Sequence, residues 1–176
     1  MPAKANAVAI PVTNDRMDIL EEQWKAERPD LKNVEVFALY GRLARLVGHL
    51  DRAISELQKE HGFSRGDFDV LATLRRSGKP YELTPTELYK SVLLTSGAMT
   101  SRIDRLEKEG WVLRLANAND RRSNRVKLTD KGRQMIDNFL PEHLSLERHL
   151  IASLSETEQL QLNSLLKKWL AAIEPL

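Results

Sequence analysis

The sequence predicts a mainly α-helical chain that carries one small β-hairpin. Three observations lead there. Apolar residues recur at three- and four-residue spacing along most of the 176 residues, as in helices with one buried stripe. Several of these stretches open on a capping residue or close on a glycine. One segment breaks the pattern: RLANANDRRSNRVKLT, Arg114–Thr129, packs three Asn, one Asp, four Arg and one Lys into sixteen residues. Val112 and Leu113 stand before it, and RVKLT at its end alternates polar and apolar like a half-buried strand. NANDRRSN has turn composition, since Asn, Asp and Ser bond their own backbone in tight bends. The segment therefore reads as a hairpin with a basic tip.

The helices follow in order. NDRMDILEEQWKAERPDL is a short helix from about Asn14, stopped by Pro29, with Met17, Leu20 and Trp24 on one face. A long helix spans about Asn33 to His61; Val36, Leu39, Leu43, Leu46, Leu50, Ile54 and Leu57 make its apolar stripe, and Gly62 its C-cap. SRGDFDVLATLRRSG is the third, with Ser64 as N-cap and Phe68, Leu71 and Leu74 as the buried face. In ELTPTELYKSV, Thr84 caps, Pro85 takes the first helical position, and Glu87 stands three past the cap. LLTSGAMTSRIDRLEKEG begins a fifth near Thr95 or Ser96, buries Met99, Ile103 and Leu106, and ends at Gly110.

The C-terminal third is helical again, with a kink expected at Pro141 and a capping box of Ser155 and Glu158 opening the last helix. That helix has an apolar stripe of Leu162, Leu165, Leu166, Trp169, Leu170 and Ile173. Such a stripe needs a partner, and two readings fit. Helices from both ends of the chain pair two copies in a two-fold dimer, or they form core within one chain.

Composition narrows the chemistry. The net charge is only +2, but Thr95 to Arg133 holds ten basic and five acidic residues, leaving −3 elsewhere. Positive charge gathered in this way suits a surface that meets phosphate, although a solvated face would look similar. With no cysteine, disulfides, thiolate metal sites and thiol redox sensing are excluded. His49, His61, His143 and His149 lack the spacing of zinc ligands, and no cofactor or metal is expected. MPAKANAVAIPV is too weakly apolar for a signal peptide, and no stretch approaches the roughly 20 apolar residues of a membrane span. A cytoplasmic protein without membrane attachment is expected.

Helix, tight turn, helix and basic hairpin together outline a winged helix-turn-helix. The outer face of the second of these helices carries Ser96, Gly97, Ala98, Thr100, Ser101 and Arg105. Small residues let a helix enter a major groove, and Ser, Thr and Arg reach base edges and phosphates. A merely exposed face would more often hold Glu and Lys. Arg121, Arg122 and Arg125 would extend the contact to double-stranded DNA from the hairpin.

ELTPTELYKSVLLTSGAMTSRIDRLEKEGWVLRLANANDRRSNRVKLTDKGRQ resembles the MarR family of bacterial winged-helix transcription regulators. The resemblance covers about residues 33–175, and its most specific part is Asp120, Arg122, Ser123, Leu128, Thr129 and Gly132. It implies that Asp120 and Arg122 brace the wing, and that Arg122 or Arg125 enters a minor groove or grips phosphate. It also implies a homodimer with an N-terminal extension over 1–30 and a MarR-like domain over 31–176. Within that domain the DNA-binding part covers about 64–130, with dimerisation helices over about 33–61 and 130–174.

Trp24, Asp69, Arg102 and Arg114 further resemble the ligand residues of a urate-responsive subfamily, as does FLPEHLSLERHLIASLSETEQ. By physical argument, Asp69 on a mostly apolar helix needs a partner. Arg102, beside Ile103, can turn inward to supply one. A planar anion could stack on Trp24, take the arginines and displace Asp69; a purely architectural ion pair is the other reading. The expected function is a repressor that a small aromatic anion releases, with urate first and an aromatic carboxylate or phenol second. A winged-helix protein-interaction module is a further alternative, and an enzyme is not expected, because no nucleophile–base set or phosphate loop is present.

Overall fold

The chain is described by a computed structural model covering residues 13–64, 66–91, 99–117 and 120–174, without the side chains of 116–124. In order come α1 (Arg16–Glu27), α2 (Glu35–Glu60), α3 (Asp67–Arg76), β1 (Glu82–Leu83), α4 (Pro85–Ser91), α5 (Met99–Lys108), β2 (Val112–Asn117), β3 (Asp120–Leu128), α6 (Asp130–Leu150) and α7 (Glu156–Ile173). The fold is mainly α with a small antiparallel sheet in the order β1-β3-β2. Val112 faces Leu128 and Leu115 faces Arg125 across the wing, while Leu83 of β1 faces Val126.

Two compact units make up the chain: Met1–Asp51 with Leu146–Leu176, and Arg52–Ser145. The second holds the winged helix. Its core gathers Val70, Leu71 and Leu74 of α3, Leu88 of α4, Met99, Ile103 and Leu106 of α5, Val112, Val126 and Leu128 of the sheet, and Phe139 of α6. Phe139 is its aromatic centre, with the rings of Phe63 and His61 at 4.8 and 5.0 Å. The capping box expected at Thr84 is present: Glu87 N–H donates to Thr84 Oγ1 at 3.2 Å and Thr84 N–H to Glu87 Oε2 at 2.7 Å. The Thr84 backbone bond, followed by its hydroxyl, lowers the Glu87 pKa.

In the first unit, α1 is capped by Asp15, whose carboxylate accepts from Met17 and Asp18 N–H. Arg42 of α2 donates to the same carboxylate at 3.0 Å, and Met17 Sδ lies only 2.3 Å from where a side chain on Gly41 would begin. Glycine at 41 thus lets α1 lie against α2. The Ser155–Glu158 box opens α7 as expected.

One local expectation needs correction, and two others gain detail. Ser64 does not cap α3 through its side chain; Gly66 takes that position with no side-chain cap bond. Pro141 does not interrupt α6, which runs unbroken from Asp130 to Leu150. The proline stands on an exposed side, where water can take the carbonyl its missing N–H leaves free. Meanwhile Phe139 and His143 anchor both of its flanks in the core. Of the face Met17, Leu20 and Trp24, only Met17 is buried, and Trp24 is 45% exposed.

Candidate nucleic-acid interface and effector residues

The helix expected to enter DNA is α5. Met99, Ile103 and Leu106 turn inward at i, i+4 and i+7, which leaves Thr100, Ser101 and Arg105 on exposed positions. Ser96, Gly97 and Ala98, expected at its tip, lie outside the described residues, as do the side chains of Asp120, Arg121 and Arg122. The backbone places those last three at the start of β3, with Asp120 opposite Asn117.

Behind the tip, the wing is fastened to its neighbours by charge. Arg114 of β2 is gripped by two carboxylates of α5: Nη2 donates to Asp104 and Nη1 to Glu107, whose other oxygen accepts Arg114 N–H at 3.1 Å. The bond to Asp104, with Glu107 adding to it, raises the Arg114 pKa, so the guanidinium stays charged. Arg125 of β3 reaches β1, with Nε 3.2 Å from Glu82 Oε1 and Nη2 3.2 Å from the Glu82 carbonyl. The Leu128-Thr129…Gly132 pattern has a clear physical basis. Thr129 Oγ1 donates to the Gly110 carbonyl at 2.8 Å and accepts Gly132 N–H at 3.0 Å, tying α5, the wing and α6 at one point. A Cβ on Gly132 would fall 2.0 Å from the Trp111 carbonyl oxygen, so only glycine fits.

The four expected effector residues are distributed as follows. Trp24 belongs to the first unit, where its ring lies 5.8 Å from that of Phe37. Asp69, Arg102 and Arg114 belong to the second. Arg102 does turn inward: its guanidinium lies against the α-carbon of Gly66, and its Nη1 is buried with no hydrogen-bond partner among the described residues. The expected Asp69–Arg102 pair is replaced by another. Asp67, wholly buried at the first turn of α3, binds Arg105. Asp69 is half-buried and not a free carboxylate. The reason is helical period: 67, 70, 71 and 74 share the core face, and 69 points some 200° away from 67. Sequence reasoning weighed Asp69 because of its apolar neighbours; applying the same periodicity to both aspartates would have singled out Asp67. Glu82, Asp104 and Glu107 were missed because pairs across separate elements leave no spacing signal.

A winged helix with a basic wing and a small-residue recognition helix is a DNA-binding arrangement, and the comparisons with known proteins agree. Residues 63–123 match the MarR family model. The regulator PecS of Dickeya dadantii is 39% identical over 145 residues, which is 82% of this chain and 87% of that protein. A serine-for-cysteine variant of E. coli MarR, solved in complex with operator DNA, superposes with a TM-score of 0.69 at 32% identity, covering 77% of this chain and 96% of that one.

The chain belongs to the MarR family.

As a MarR-family member it is a DNA-binding transcriptional regulator and not an enzyme. An organohalide-sensing regulator in its 2,4-dichlorophenol-bound form shares the fold, with a TM-score of 0.71 at 20% identity, over 82% of this chain and 84% of that one. Within the described residues no helix is long and apolar enough to cross a membrane.

Proposed function

We propose that this MarR-family regulator is a homodimeric repressor that leaves an inverted-repeat operator when a small aromatic anion binds. An aromatic carboxylate or phenolate is the first choice of effector and urate the second. The observation that carries the effector reading is Arg102. One of its guanidinium nitrogens, Nη1, is buried without a hydrogen-bond partner among the described residues, on the helix assigned to DNA. A buried guanidinium N–H left without an acceptor among the described residues favours an anion there. An anion that takes Arg102 moves the helix whose position sets DNA affinity, so ligand and DNA compete through one element. Support for an aromatic phenolate comes from the same fold holding 2,4-dichlorophenol in the organohalide sensor.

For DNA, the reading assigns major-groove contact to Ser96, Gly97, Ala98, Thr100 and Ser101, and wing contact to Arg121 and Arg122. Arg125 supports the wing's base through Glu82. The dimer reading is supported by apolar side chains left in water along α2 and α7, among them Leu39, Leu46, Leu165 and Leu170. A second copy of the chain is the partner that would cover them.

The test is an operator-binding titration with salicylate, 2,4-dichlorophenol and urate added in turn. The expected result is release by a phenolate or carboxylate, and a loss of that release in Arg102→Gln when it is measured against the variant's own ligand-free operator affinity. Release unchanged in Arg102→Gln would contradict the effector assignment. Trp24→Phe separates the urate arm: the urate-like reading expects normal DNA binding and weaker release by urate, because the larger indole surface and its N–H are gone.

A further inference from the structure

We infer that Asp67 is the positioning residue of the recognition helix, and that Arg105 is its anchor rather than a reader of DNA. The inference rests on the DNA-binding assignment above. Asp67 opens α3 and is 0% exposed, on the face it shares with Val70, Leu71 and Leu74. A carboxylate so deeply buried must be bonded to persist. Among the described residues it has two partners. The backbone N–H of Ser64 donates to Oδ2 at 2.5 Å, fixing the turn into α3. The guanidinium of Arg105 approaches side-on, Nε donating to Oδ1 at 3.3 Å and Nη2 pairing with Oδ2.

This fork determines something the apolar core leaves loose. Met99, Ile103 and Leu106 hold α5 by non-directional burial, which tolerates a small roll about the helix axis. A two-pronged arginine–carboxylate bond is directional and fixes that roll. One turn earlier, Arg102 packs onto Gly66 so closely that a Cβ there would lie 1.9 Å from its Nε. Both arginines of α5 therefore converge on the Gly66–Asp67 step, and the exposed faces of Thr100 and Ser101 are aimed by it. Arg105 keeps 43% of its side chain in solvent, in keeping with its place on the outer face of the helix. Its guanidinium is already committed to Asp67.

The test compares Asp67→Asn, Arg105→Gln and the double variant with wild type, titrating operator DNA over a salt series well below each variant's Tm. Positioning predicts that each single change lowers operator affinity about tenfold, and that the double change costs no more than the worse single one. It also predicts an unchanged slope of log affinity against log salt, since no phosphate contact is lost. The inference is overturned if Asp67→Asn binds like wild type, if the two losses add, or if Arg105→Gln flattens the slope by about 1, the mark of a lost phosphate contact. If Asp67→Asn does not fold, Arg105→Lys takes its place. It keeps the charge and loses the fork, so about tenfold weaker binding is expected and wild-type affinity overturns the inference. Wild-type protein that binds no operator would instead contradict the DNA-binding assignment itself.

Discussion

The two compact units of the chain treat apolar residues in opposite ways. In Arg52–Ser145 the core is closed: Val70, Leu71, Leu74, Leu88, Leu106, Val126 and Ile136 are all 0% exposed. Among the described large apolar residues of that unit, only Tyr89, Leu115 and Leu144 stand out in solvent. Among the described residues of the other unit the buried apolar ones are Met17, Val34 and Ala38, while Phe37, Tyr40, Val47, Leu160, Leu165, Leu170 and Ile173 are more than half exposed. Helix α7 buries none of its residues. The winged-helix unit has completed its hydrophobic collapse within one chain; the other displays a surface that water disfavours. This contrast separates a unit that closes its own apolar core from one that leaves its apolar face open.

Substitutions sharpen the contrast, because a closed core and an open face respond differently to protein concentration. The largest effect is expected at Phe139, packed against the rings of Phe63, Phe68, His61 and His143. Phe139→Ala should cost about 3–5 kcal/mol in chemical denaturation, as an intrinsic loss to the winged-helix unit. Next comes Leu170→Glu in α7. If the exposed stripe is a dimer face, losing one buried leucine should weaken association by about 2–3 kcal/mol. Sedimentation should then show monomer where wild type is dimeric, and Tm should vary with concentration. An unchanged sedimentation profile would break the comparison.

Thr84→Ala removes the cap of α4 and should lower stability by about 1 kcal/mol, with no change in oligomeric state. The smallest effect belongs to Asp15, held at a pKa of about 2 chiefly by Arg42. A depressed carboxylate pKa contributes above its unfolded value and loses that contribution as pH falls through the folded one. The docking of α1 should therefore weaken between about pH 4 and pH 2, as seen by circular dichroism of wild type against Asp15→Asn, which should lack that transition.

Much of this architecture is legible in the sequence, for reasons the particular elements make plain. Periodicity located every helix because each buries a stripe or exposes one, and the Thr84–Glu87 and Ser155–Glu158 boxes announce their own helix starts. Gly62 and Gly110 end helices with φ of +77 and +74, a conformation that glycine adopts freely. Pro141 leaves α6 continuous, with Phe139 and His143 buried on either side of it. The site was harder. Arg105 and Arg125 look like DNA contacts in sequence; the structure adds that each also pairs with a carboxylate far along the chain, Asp67 and Glu82. A basic residue signals charge; its partner is decided only once the fold brings carboxylates within reach.

The division of labour between the two units is tested most directly by footprinting and stoichiometry on operator DNA. The account predicts two chains on one inverted repeat, with protected half-sites centred about 10 base pairs apart. A single chain bound to one unsymmetric site would contradict it.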